Sequence, residues 1–141
     1  MHHILTILIF FSAILYAIPV NSQVYEEPYE IKSIYFGGGS YYIEGKQQKE
    51  MIEWLDGFPN LNEYEIKIHG HTDNIGSADY NLRLSKMRCQ AVFQMLIKNE
   101  IPEEWIQIKS YGEENPIFTN ATWNGKLNNR RVDVILIPPS S

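Results

Sequence analysis

His69, His71 and Asp73 alternate in the stretch HGHTDNIG, a spacing that puts three side chains on one face of an extended strand. Two imidazoles and a carboxylate so placed would open a metal centre, as in hydrolases with an H-x-H-x-D signature. A catalytic zinc takes three protein ligands and a structural zinc four, drawn from His, Cys, Asp or Glu. The chain has four histidines, and the other two, His2 and His3, belong to an N-terminal stretch that reads as a leader. Completion would fall to carboxylates such as Asp79 or Glu113, and their spacing does not suggest it. The metal-hydrolase reading through His69 and His71 is thus short of ligands, and no metal or cofactor is expected. Nucleophilic catalysis has no firmer basis. The single cysteine, Cys89, sits in a helical pattern beside Ala91 and Val92, where it reads as a small semi-buried hydrophobe. No serine occupies a G-x-S-x-G elbow. Gly37-Gly38-Gly39 lacks the Lys-Ser/Thr that follows in a phosphate-cradling loop.

The elements that must position these residues follow from periodicity. The stretch IKSIYF, residues 31–36, is β-branched and aromatic and predicts a strand. Residues 43–55 carry Met51, Ile52, Trp54 and Leu55 among polar neighbours, which predicts an amphipathic helix ended by Asp56-Gly57-Phe58-Pro59. YEIKIHG, residues 64–70, alternates as a strand does. The longest helical pattern covers roughly residues 79–99, with Ser77 able to cap it. Leu84, Met87, Ala91, Val92, Met95 and Leu96 supply its apolar stripe. WIQIKSY, residues 105–111, is a further strand with Ile106 and Ile108 on one face, and RVDVILI, residues 131–137, is the last. Between them residues 112–129 form a long polar loop, a length that implies function or a short helix of its own. Strand, helix, strand, helix, strand, loop, strand is an α+β arrangement: a mixed sheet with helices packed on one face.

Bulk properties narrow the function. The 141 residues suffice for one domain, and 44% hydrophobic with 21% charged residues is the balance of a folded globular chain. A net charge of −5 argues against nucleic acid as a partner, because phosphate neutralisation needs a basic surface. Residues 4–18 are apolar and uncharged, and Val20 and Ser22 sit at the −3 and −1 positions of a cut before Gln23. Residues 1–22 therefore read as a secretory signal peptide, the run being short for a membrane span. Residues 23–30 read as a linker and residues 31–138 as the domain. No cysteine follows the apolar run to take a lipid.

Read onward from the histidines, the pattern widens into GHTDNIGSADYNLRLSKMRCQAV and, near the end, NRRVDV. Gly70, His71, Thr72, Asp73, Gly76, Tyr80, Asn81, Leu84, Ser85, Arg88 and Val92, with Asn129, Arg130, Arg131 and Val132, match the pattern of the OmpA-like C-terminal domain. The chain resembles that family from about residue 31 to 137. The resemblance implies a βαβαββ sandwich and non-catalytic binding of peptidoglycan through the diaminopimelate of its stem peptide. Carried over by motif, the principal residues are Asp73 and Arg88, joined by Thr72, Asn81 and Ser85, with Arg131 expected as a secondary residue from the last strand. A zwitterionic amino-acid head is well met by one fixed anion and one fixed cation, and Arg suits a carboxylate clamp. Asn81, Ser85 and Arg88 share a helix face by their spacing. The alternative use of Asp73 and Arg88 is an ion pair that only pins the loop. The resemblance also implies a periplasmic, outer-membrane-associated location, with an outer-membrane protein supplying the anchor. Where relatives carry a polar residue after the first strand's Phe, Phe36 meets Gly37-Gly38-Gly39-Ser40. That departure motivates a second reading: a protein-interaction adaptor that has lost wall binding.

Overall fold

The computed structural model describes residues 29–139. The expected signal peptide, and the linker as far as residue 28, lie outside them. Four strands, β1 (Glu30–Tyr35), β2 (Glu65–His71), β3 (Ile106–Gly112) and β4 (Arg131–Ile137), alternate with three helices, α1 (Gly45–Asp56), α2 (Ala78–Lys98) and α3 (Trp123–Asn129). The first strand thus starts one residue inside the expected linker, and α3 fills the end of the long loop. The sheet order is β1-β4-β2-β3. β4 is antiparallel to both β1 and β2, while β2 and β3 run parallel. A parallel pair needs a crossover, and α2 supplies it.

The core follows from strand alternation. Ile34 of β1, Ile66 and Ile68 of β2, and Val132, Val134 and Leu136 of β4 are buried on the face that α1 and α2 cover. Met51 and Leu55 of α1 and Cys89, Val92, Met95 and Leu96 of α2 close over them. Each such side chain contributes roughly 1.5–3 kcal/mol when fully buried. Ser77 caps α2 by accepting from the amide of Tyr80 at 3.2 Å, and Asp79 lies in the first turn, where an acid favours the helix dipole.

One apolar expectation is corrected: Met87, read into the apolar stripe of α2, is 41% exposed. The buried stripe of α2 runs through Asn81, Leu84, Ser85, Arg88, Cys89, Val92, Met95 and Leu96. Its N-terminal half is polar, so a search for apolar periodicity shifts to Met87 where the helix in fact buries Arg88.

Among the described residues, no helix is long and apolar enough to cross a membrane.

A polar cleft at the start of α2

β2 ends at His71, and its register with β3 slips between Gly70 and His71. The chain therefore leaves the strand before Asp73, and the three alternating residues do not stay on one face. Gly70 permits the close passage of β2 under α2: a Cβ there would sit 2.4 Å from the Cys89 sulfur and 2.7 Å from the Ser85 carbonyl oxygen. His69 and His71 face the side of the sheet away from the helices. His71 stacks on Tyr111, with ring centroids 5.0 Å apart and planes at 2°. Burial, helped by the charge of Arg131 and opposed by Asp133, lowers the His71 pKa to about 4. The His69 pKa is lowered as well, chiefly by burial. Among the described residues, no group of three or more His, Cys, Asp or Glu side chains is placed to hold a metal ion.

Asp73 instead turns into a cleft between the Gly37–Ser40 loop, the loop after β2, the first turns of α2 and the end of α3. Thr72, Asp73, Tyr80, Asn81, Arg88 and Arg130 line it, with Gly38 and Gly39 along one wall. Its volume is about 150 Å³, below the roughly 300–1,000 Å³ of pockets for drug-sized ligands, so it takes a small head group. The glycine-rich loop forms a wall of the cleft and leaves this space open. One formal negative and two positive charges converge on it, in a chain whose net charge is −5.

The charges are wired differently from a simple Asp73–Arg88 pair. Asp73 Oδ2 accepts from Arg130 Nε at 2.6 Å, and Asp73 Oδ1 accepts from the amide of Ile75 at 2.9 Å. Both side chains of this ion pair are nearly buried. Arg88, 1% exposed, donates to three backbone carbonyls: Ser40 at 2.8 Å, Gly37 at 3.0 Å and His71 at 3.1 Å. Its guanidinium lies 5.1 Å from the centroid of the Phe36 ring. It thus ties the glycine-rich loop to the end of β2 while keeping its charge beside the cleft. Burial lowers the Arg88 pKa to about 10; Asp73 opposes the shift and Arg130 adds to it. An anion entering the cleft would offset that cost.

Asn81 donates its Nδ2 to Glu113 Oε2 at 2.6 Å, which fixes the amide orientation, since a carboxylate only accepts. Its Oδ1 is then buried with no partner among the described residues. A buried acceptor left unmatched costs about 1–3 kcal/mol. Thr72 donates its hydroxyl to the Asp73 carbonyl at 2.8 Å and stiffens the loop. Ser85 is placed elsewhere than expected. Its hydroxyl donates to the Leu82 carbonyl at 2.8 Å and accepts the Gly112 amide at 3.0 Å, joining α2 to β3 behind the cleft.

Arg131 also departs from expectation. Alternation along β4 puts it on the face away from the helices, where Nε donates to both oxygens of Asp133, at 3.0 and 3.1 Å. Arg130 reaches the cleft because it precedes the strand, as the residue that ends α3, and escapes that alternation. The Asn-Arg-Arg run marks the pair of arginines; only the break between α3 and β4 says which one turns inward. Tyr80, a motif residue not assigned a role from sequence, also lines the cleft, 41% exposed.

A model of the OmpA family matches residues 35–130. The chain belongs to the OmpA family. It is 36% identical over 85 residues to outer membrane porin F of Pseudomonas fluorescens, covering 60% of this chain and 25% of that one. It is 37% identical over 71 residues to the peptidoglycan-binding protein ArfA of Mycobacterium bovis, covering 50% of this chain and 22% of that one. The peptidoglycan-associated lipoprotein of Burkholderia pseudomallei superposes with a TM-score of 0.65 at 27% identity, over 74% of this chain and 89% of that one. A MotB-like protein of Desulfovibrio vulgaris shares the fold, with a TM-score of 0.67 at 22% identity over 80% of this chain and 75% of that one. The chain spans a quarter to about two fifths of the length of the first curated relatives it matches. The OmpA-family fold is thus the α+β mixed sheet with its helices on one face.

Proposed function

We propose that this OmpA-family domain binds peptidoglycan without catalysis, taking the amino-acid head of the stem-peptide diaminopimelate into the cleft at the start of α2. The observation that carries this reading is the small cleft in which the Asp73 carboxylate and Asn81 line the same space as two guanidinium groups, those of Arg88 and Arg130. The ammonium of the head is matched by Asp73 and Asn81 Oδ1, and the carboxylate by Arg88, Arg130 and the backbone of Gly38 and Gly39. Thr72 holds the loop that presents Asp73. Ser85 acts from behind, through α2, and Arg131 has no part in the cleft. A handful of charge-assisted hydrogen bonds, each worth roughly 1.5–3 kcal/mol, is set against an association cost of about 4–15 kcal/mol. Single-site affinity is therefore weak, and the repeated wall ligand compensates by multivalency. The location that fits is the periplasm, beside the outer membrane, with the segment before residue 23 removed and an outer-membrane protein supplying the anchor.

The test is co-sedimentation of the purified protein with isolated sacculi. Wild type pellets, and Asp73→Asn and Asn81→Leu each reduce the bound fraction several-fold. Unchanged pelleting of both variants, at unchanged melting temperature, would refute the site. Wild type that stays in the supernatant, while a pull-down from an outer-membrane extract retains a partner, would favour the adaptor reading instead.

A further inference from the structure

One large aromatic side chain near the cleft has no role in the packing. Trp123, the first residue of α3, is 61% exposed, although a tryptophan left in water is apolar surface that folding would otherwise bury. The ring is nevertheless held in place. One face lies against the Arg130 guanidinium, 4.8 Å from its centroid, and Arg130 is in turn fixed on Asp73 at 2.6 Å. The segment under it is pinned from both sides. Asn129 donates to the Phe118 carbonyl at 2.8 Å and to Asn120 Oδ1 at 3.0 Å, and Thr122 accepts the Gly125 amide at 3.1 Å. One turn on, Lys126 donates to Asn74 in the loop that presents Asp73, at 2.5 Å. The indole is thus a fixed plate with a cation under one face and the other side open. Because the guanidinium bridges the two, its centroid lies within about 9 Å of the Asp73 carboxylate.

We propose that Trp123 is a stacking platform for a pyranose ring of the wall glycan, a second subsite adjoining the cleft. The inference rests on the peptidoglycan reading above. A sugar ring presents a face of C–H groups, and a flat electron-rich indole is the side chain that covers such a face while leaving the hydroxyls in water. The cleft itself has room for a head group only, so the rest of the ligand must run out over its rim. Between the head in the cleft and the muramic acid lie the diamino acid's own arm, two stem residues and the lactyl ether, a flexible path of roughly 20 Å when extended; it exceeds the separation of about 9 Å, so the first sugar can fold back onto the indole.

The test compares two ligands by calorimetric titration of the full chain: the free stem tripeptide ending in diaminopimelate, and the disaccharide carrying the same tripeptide. Wild type binds the disaccharide form on the order of tenfold more tightly, the size of effect seen when a stacking aromatic is present or absent. Trp123→Ala abolishes that increment and leaves tripeptide affinity as it was, while Trp123→Phe retains part of it. An alanine variant that keeps the full increment overturns the platform. So does one that weakens both ligands equally, since that would reduce Trp123 to a prop for Arg130. Wild type that binds neither ligand overturns the peptidoglycan reading, and the platform with it.

Discussion

Replacing Arg88 by lysine keeps the positive charge and removes the geometry, and so separates two roles that alanine would confound. The guanidinium donates in three directions, to Ser40, Gly37 and His71. A lysine ammonium is a point charge on a shorter, flexible stem and cannot span all three. The His71 carbonyl belongs to a residue only 8% exposed, so the ammonium should settle there, where no water can replace it. The Gly37 and Ser40 carbonyls lie on an exposed loop and exchange the guanidinium for solvent. Two charged hydrogen bonds exchanged for water, each contributing about 1.5–3 kcal/mol net to stability, give a loss of about 3–6 kcal/mol. In a domain of this size that is a fall of at least about 10 °C in melting temperature. Urea unfolding should show a lower midpoint at unchanged slope. Hydrogen exchange should quicken at the Ser40 amide, which donates to Gly37 at 3.1 Å in the tightened loop. Wall binding should weaken as well, although the cleft keeps its formal charge, because Gly38 and Gly39 would lose their fixed position. A midpoint within about 0.5 kcal/mol of wild type would refute the clamp, since that is the range of neutral surface substitutions. A stability loss without faster exchange in residues 37–40 would refute it too.

Gly70→Ala drives a Cβ to 2.4 Å from the Cys89 sulfur and 2.7 Å from a helix carbonyl, so it should cost about 3 kcal/mol or more by thermal melting. Adding Cys89→Ala should recover only part of that loss, because the carbonyl contact remains; full recovery would show the backbone to be more yielding than described. His71 has its pKa lowered to about 4 by burial, so between that value and its ordinary 6.5 the unfolded chain binds the extra proton. Its contribution to stability is full above about 6.5 and is lost as pH falls toward about 4. The groups around it are Arg131, Asp133, His69 and Tyr111. Urea unfolding across this range should show a shallower pH slope in His71→Gln than in wild type, and equal slopes would remove His71 from the account. Burial raises the Cys89 pKa to about 11, and the side chain is 1% exposed. A disulfide reagent at pH 8 should therefore leave the native protein unlabelled and titrate one thiol after urea unfolding; rapid native labelling would contradict the packing.

The four strands and the two longer helices were legible because period-two and period-3.6 apolar patterns report which face is covered, and these six elements begin and end within two residues of those patterns; α3 lies in a stretch with no such pattern. The pattern misled where burial was not apolar. In α2 the covered stripe passes through Asn81, Ser85 and Arg88, so apolar spacing alone favoured Met87, which is exposed. Those polar positions were recovered only from the family motif. The motif carries residue identities at fixed spacing, whereas the hydrophobic pattern carries only a face. Neither could assign bonding partners. Asp73 and Arg88 are fifteen positions apart and both at the cleft, yet each is satisfied by a third group: Arg130 for the carboxylate, and backbone carbonyls for the guanidinium. The choice between Arg130 and Arg131 turned on where β4 begins, because alternation constrains a side chain only inside a strand. The same reasoning disposes of the H-x-H-x-D spacing. His69 and His71 still obey the strand, on the face turned from the helices; Asp73 comes after the register slip at Gly70/His71 and is free to turn into the cleft. A spacing that is diagnostic within one regular element has no meaning across its end. What places Asp73 is thus the end of β2, which delivers one carboxylate to the start of α2 and leaves both imidazoles behind.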